Sequence, residues 1–315
     1  MRTTLAMFPG QGSQSIGMAK EVLEQFPSMS RTFEEVEDST HLKIRKLCHE
    51  GPEEELRLTA HQQPCILAVS VAIWRVLKKE AGFSPSFFMG HSLGEYSALV
   101  AAERLSLTDA ATLVYARGQA MQEAVPPGLG AMAAVLRYEE DKLIALCSKI
   151  SSELEQVVEV VNFNSPKQRI ISGHKEAVES VCATLSGERV QSVMLPVSAP
   201  FHSSLMRPAR EKMRPLIEQT KFVNSAHPII ANITGELADP YEPSYLVRQI
   251  DSPVLWTKCT ETALAQQVQT LVEVGPGSVL YGLAKRWIPK ECDVKHSADL
   301  RETIAFLSES SSARE

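Results

Sequence analysis

SFFMGHSLGEYSALVAA, residues 86–102, changes character at its centre. The tetrapeptide SFFM, 86–89, reads as a short strand ended by Gly90, and the stretch from about Leu93 to Ala102 reads as a helix. Between them GHSLG, residues 90–94, fits the G-x-S-x-G turn that carries a nucleophilic serine from strand to helix. Small residues at 90 and 94 let strand and helix pack closely, so the Ser92 hydroxyl stands free at the end of a sheet. The helix N-terminus places the Leu93 backbone N–H beside any oxyanion that develops there. The same five letters can arise by chance on a tight turn; the flanking strand and helix favour the nucleophile.

Upstream, TTLAMF (3–8) reads as a buried strand running into the turn PGQGSQ (9–14), with helical patterning from Ile16 to Phe26. The turn lacks the lysine of GxxxxGK[ST] and the spacing of GxGxxG, so nucleotide binding is not expected. A turn at the C-terminal end of a strand can instead supply a second oxyanion donor, for which Gln11 is the candidate. PCILAVSVAIWRVLK (64–78), apolar nearly all round, predicts a central buried helix. A further helix over 108–123 contains Arg117 in the mainly uncharged run LVYARGQAMQ. An arginine there is a buried ion-pair member, a clamp for an anionic ligand, or a surface residue whose stem snorkels.

The pattern shifts at PPGLG (126–130), a plausible domain junction. Strands over 131–136, 155–163, 168–173 and 190–197, with helices over 139–150 and 174–187, give the order β-α-β-β-α-β of a ferredoxin-like unit. The larger pattern resumes with a helix after Pro208 and strands over 227–234 and 270–275. The polar tail after Leu307 is expected to be disordered. The expected architecture is a large α/β domain, 1–126 and 200–315, interrupted by a small α+β subdomain at 127–199.

A serine hydroxyl needs a base. Of eight histidines, His202 stands apart: it follows VSAPF where the chain leaves the small unit, and a base there faces an inter-domain cleft. The alternative is a structural histidine at the junction. The formal charge of −6 argues against nucleic acid or an anionic membrane as main partner. The longest apolar stretch, Cys65 to Trp74, is too short to span a bilayer. The N-terminus lacks the apolar core of a signal peptide, so a cytoplasmic protein is expected. Six cysteines without a CxxC pair or metal-ligand spacing predict buried thiols and no metal site.

Taken together, MFPGQGSQSIGM (7–18), QPCILAVSVAIW (63–74), GHSLGEYSALVAA (90–102), ARGQAMQEA (116–124), GLGAMAAV (128–135), VNFNSPKQRIISG (161–173), VSAPFHSSLM (197–206), NITG (232–235) and EVGPGSVLYGLAKR (273–286) resemble the malonyl-CoA:acyl carrier protein transacylases. That family includes the acyltransferase domains of fatty-acid and polyketide synthases. The resemblance implies a hydrolase-like parallel-sheet α/β domain with an inserted ferredoxin-like subdomain and an active site between them. It implies Ser92 as nucleophile, His202 as base, Gln11 and Leu93 as oxyanion-hole backbone donors, and Arg117 as the holder of the malonyl carboxylate. It further implies that the backbone carbonyl of Gln249 orients the histidine. Phe201 resembles the bulky residue of malonyl-selective domains, which crowds an α-methyl branch. Ser278 replaces a lysine that the family often carries, which puts a local ion pair in doubt.

The partners so implied are malonyl-CoA and an acyl carrier protein, for a monomer that needs no cofactor. Arg207, Arg210, Lys285 and Arg286 are candidates for a basic patch that meets the acidic carrier. Two rivals remain: an acyl hydrolase acting on carrier-bound groups, and a non-catalytic carrier-docking protein.

Overall fold

The computed structural model describes residues 2–197 and 199–312. The ten strands among the described residues are β1 (Thr4–Phe8), β2 (Phe87–Gly90), β3 (Gly130–Leu136), β4 (Val158–Ser165), β5 (Gln168–His174), β6 (Ser192–Met194), β7 (Ile229–Ile230), β8 (Leu237–Ala238), β9 (Thr270–Glu273) and β10 (Asp293–His296). β1 and β9 are buried along their whole length, as parallel strands covered on both faces must be. They lie inside a six-stranded sheet of order β10-β9-β1-β2-β7-β8, parallel except for β8. The helix Thr59–Glu80 is buried through most of its length and joins the main core, because its apolar residues leave no face for water.

The second sheet is antiparallel, of order β4-β5-β3-β6. The helices Glu140–Leu154 and Lys175–Gly187 cover it through Leu143, Cys147, Val178 and Val181, which is the ferredoxin-like arrangement. This unit is tied to the larger sheet's side of the molecule by β4. The Phe163 N–H donates to the Val254 carbonyl at 3.0 Å, and the Val254 N–H donates to that of Val161 at 2.8 Å. The expected α/β class with a separate α+β unit is therefore what the chain forms.

Several expectations need correction. The tail is helical, since the helix Leu300–Ser312 runs on past Leu307. Asp299 caps it by accepting from the Glu302 N–H at 3.0 Å, and Leu300, Thr303 and Leu307 are buried along one face. Residues 313–315 lie outside the described residues. The strand expected over 227–234 is only β7, because the chain turns back at once. Gly235 N–H donates to the Ala231 carbonyl at 2.8 Å, and β8 follows. β6 is likewise shorter than 190–197, and β10 was not expected. Of the six cysteines, all unpaired, Cys182 and Cys292 are only half-buried. No helix among the described residues is long and apolar enough to cross a membrane.

The turn between β2 and the helix Gly94–Ala101 is held by two close approaches. A Cβ on Gly90 would lie 2.0 Å from the Gly94 carbonyl, and a Cβ on Gly94 would lie 2.0 Å from the Phe8 carbonyl oxygen. Only glycine permits this contact between strand, turn and helix. Gly94→Ala must therefore push the helix off β1, and overpacking of this kind costs about 1–3 kcal/mol or more. A lowered urea midpoint with an unchanged slope is expected; an unshifted midpoint would show that the backbone relaxes freely there.

Candidate active site

Ser92 sits at the apex of the turn with φ of 52°, a left-handed conformation that side chains rarely adopt. The strain is held by Asn232, just after β7. Its Oδ1 accepts from the Ser92 N–H at 2.7 Å, and its Nδ2 donates to the Gly90 carbonyl at 2.6 Å. The side chain at 92 is thereby turned out of the strand and helix and into the interior, where it is 7% exposed.

His202 enters from the loop that follows the second sheet, also with a left-handed backbone, φ 64°. Its Nε2 lies 2.8 Å from Ser92 Oγ, and its Nδ1 lies 2.9 Å from the backbone carbonyl of Gln249. A carbonyl only accepts, so Nδ1 carries the proton and Nε2 offers its lone pair to the serine. Burial, then the nearby positive charge of Arg117, pushes the imidazole down to about 3. The neutral base form therefore prevails through the physiological range.

Arg117, on the helix Leu107–Glu123, is 0% exposed. Its Nη1 donates to Gln63 Oε1 at 2.9 Å, and its Nη2 donates to Ser92 Oγ at 3.1 Å and to Gln249 Oε1 at 3.0 Å. The face of Tyr96 lies 5.7 Å from the guanidinium carbon. Arg117 Nε has no partner among the described residues. The snorkelling reading fails, and so does the ion pair: every partner is neutral. Burial lowers the pKa of the guanidinium, countered in part by Tyr96 and Glu95.

The N-terminal turn also meets the elbow. The N-terminal turn is pressed onto the elbow, for a Cβ on Gly10 would lie 2.4 Å from the His91 carbonyl oxygen. Neither the Gln11 N–H nor the Leu93 N–H has an internal acceptor among the described residues. Unpaired N–H groups beside a nucleophile are what an anion receptor requires. The Gln11 side chain donates to Gln62 Oε1 at 2.6 Å.

His91 points away from Ser92, with Nε2 2.9 Å from Asn164 Oδ1 on β4. Phe201 is 7% exposed and packed in the main core beside His202. Two of the four basic candidates are held by neighbours. Arg210 is engaged by Asp251 at 2.9 Å and Glu211 at 2.8 Å, and Lys285 Nζ donates to Tyr281 Oη at 2.5 Å. Arg207 and Arg286 are exposed and form no ion pair among the described residues. Sequence reading missed Gln63, Glu95 and Asn232, along with the Gln249 side chain. That amide donates to the Ser92 carbonyl at 3.0 Å and to Glu95.

A buried serine, a neutral imidazole, two free N–H groups and a guanidinium with no anion in direct contact together suit the transfer of an acyl group that itself bears an anion. A family model described as the acyl transferase domain matches residues 6–298. The chain belongs to the acyl transferase domain family. This acyl transferase is 43% identical over 285 residues to the malonyl CoA-acyl carrier protein transacylase of Salmonella typhimurium, a match covering 89% of this chain and 91% of that one. It is similar to the crystal structure of FabD from Acinetobacter baumannii, with a TM-score of 0.93 and 38% identity over 98% of this chain and 99% of that one. A type II PKS malonyl-transacylase solved in complex with its acyl-carrier protein is also similar, with a TM-score of 0.88 and 40% identity over 94% and 95% of the two chains.

The electrostatics of the acyl transferase site can be measured in the free protein. His202 should hold its neutral form as pH falls from about 8 to about 5 in an NMR titration, and Arg117→Ala should raise its pKa toward the ordinary 6.5. The sign for stability follows: a histidine held below its unfolded pKa contributes stability above about 6.5 that is lost as pH falls toward about 3. A His202 titrating near 6.5 in both proteins would contradict the dry, cationic environment described.

Proposed function

We propose that this chain is a malonyl-CoA:acyl carrier protein transacylase working through a Ser92 acyl-enzyme. The observation that carries the reading is Arg117, wholly buried, 3.1 Å from the nucleophile and without an anionic partner. Malonyl differs from acetyl by one carboxylate, and a guanidinium can hold it through two parallel N–H···O bonds. The names of the relatives, and the carrier protein bound to one of them, support the same substrates.

In the first half-reaction His202 Nε2 takes the Ser92 proton as Oγ attacks the thioester carbonyl. The oxyanion is held by the N–H groups of Gln11 and Leu93, and a donor of this kind is worth on the order of 2.7–4 kcal/mol in the transition state. The C–S bond breaks and coenzyme A leaves with the proton from His202. In the second, His202 removes the proton of the carrier's phosphopantetheine thiol, which attacks the malonyl ester. The ester C–O bond breaks and the proton returns to Ser92 Oγ. The reaction is ping-pong. Gln249 holds the imidazole through its carbonyl, in place of the carboxylate of a triad.

We assign Arg207 and Arg286 to carrier docking and Phe201 to exclusion of an α-methyl branch. The six unpaired cysteines suit a reducing cytoplasm. A hydrolase for plain acyl chains is disfavoured, since its substrate would bring no anion into contact with the buried guanidinium.

Ser92→Ala should abolish malonyl transfer, and His202→Ala should slow both half-reactions by about 100- to 10,000-fold. Residual transfer at the normal rate with alanine at 92, measured by carrier acylation, would move the nucleophile elsewhere. Arg117→Ala should reduce kcat/KM for malonyl-CoA by about 2–5 kcal/mol in barrier terms while leaving acetyl-CoA unchanged or improved. Equal losses for both thioesters would make Arg117 structural.

A further inference from the structure

Glu95 lies in the first turn of the helix Gly94–Ala101, is 1% exposed, and takes no part in the steps above. Its Oε1 accepts from the Tyr241 hydroxyl at 2.9 Å and from the Asn232 N–H at 3.3 Å. Its Oε2 accepts from Gln249 Nε2, while the Oε1 of the same amide accepts from Arg117 Nη2 at 3.0 Å. One side-chain amide thus stands between a buried carboxylate and a buried guanidinium. It keeps them from pairing directly and leaves the guanidinium open toward Ser92.

We infer that Glu95 is a positioning residue that serves as the resident counter-charge of Arg117, and that the malonyl carboxylate takes over this role as Glu95 takes up one proton from solvent. The inference rests on the proposed function, in which Arg117 receives that carboxylate. Two carboxylates cannot both stay ionised in a dry site around one guanidinium. The incoming carboxylate can make two bonds directly to Arg117, whereas Glu95 reaches it only through an amide, so Glu95 is the one that gives up its charge.

The surroundings permit this. Burial already pushes Glu95 up to about 7, against hydrogen bonds from Gln249, Tyr241 and Asn232 and the charge of Arg117. The other ionisable groups around it are Arg117, Tyr96, Tyr241 and Cys259, with His202 beyond Gln249. Tyr96 is raised to about 12, Tyr241 and Cys259 are pushed well up, and His202 stays neutral to about 3. A protonated Glu95 can donate from Oε1 to the Tyr241 oxygen while Oε2 goes on accepting from Gln249, so the amide keeps its orientation.

The test is the pH dependence of the ratio of kcat/KM for malonyl-CoA to that for acetyl-CoA in acyl-enzyme formation. Titration of coenzyme A itself cancels in the ratio. In the wild type the ratio should fall by about fivefold or more as pH rises from about 6 to about 8.5, because ionised Glu95 opposes the second carboxylate. Glu95→Gln mimics the protonated form and should give a flat ratio. Tyr241→Phe removes a donor to the ionised form and should shift the fall to higher pH. A flat wild-type ratio overturns the inference, as does a slope that survives Glu95→Gln. Should Glu95→Gln fail to fold, an unmoved midpoint in Tyr241→Phe overturns it equally. Arg117→Ala separates the two readings: if it retains the malonyl preference, the carboxylate assignment falls and this inference with it. If it loses the preference while Glu95→Gln keeps the slope, only the role of Glu95 falls.

Discussion

A buried positive charge with no anion in direct contact governs this molecule. Removing a guanidinium from water costs several kcal/mol unless its protons and its charge are both answered. Here the protons are answered by neutral oxygens of Gln63, Gln249 and Ser92, and the charge is met only at one remove, by Glu95 across the Gln249 amide. The helices Thr59–Glu80, Leu107–Glu123 and Pro243–Gln249 each bring one part of the arrangement. The nucleophile is within it, since Ser92 Oγ accepts from Arg117 while facing His202. The same charge helps to keep the histidine neutral, and so able to act as a base.

This placement depends on backbone geometry more than on side-chain packing. Gly90 and Gly94 let the turn close against β1, and Asn232 binds both ends of it. The strained φ of Ser92 is thereby maintained by contacts that do not touch the acyl group. Gln249 contributes three polar atoms to the site. Its carbonyl holds His202, its amide nitrogen bridges Ser92 and Glu95, and its side-chain oxygen meets Arg117.

Local signals in the sequence were enough for the elbow, the central helix and the order of elements in the small unit. Each is written in a change of period or in a few adjacent residues. His202 was legible only from its place at a junction. Gln63, the Gln249 side chain and Asn232 were not legible, because their partners are 54, 132 and 140 residues away. Glu95 did leave a signal, a lone acid in an otherwise uncharged helix, of the same kind that drew attention to Arg117 in the next helix. The terminal helix was hidden because the residues after Leu307 are polar, while the apolar face that anchors it lies before them.

The central claim is that a buried charge with no anion in direct contact selects an anionic acyl group and passes it to the adjacent serine. Intact-protein mass after mixing the wild-type chain with equal amounts of malonyl-CoA and acetyl-CoA, followed by peptide mapping, tests it most directly. The account predicts one malonyl adduct, on the peptide that contains Ser92, with acetyl adduct a minor species. Comparable acetyl and malonyl adducts, or an adduct on any other residue, would contradict it.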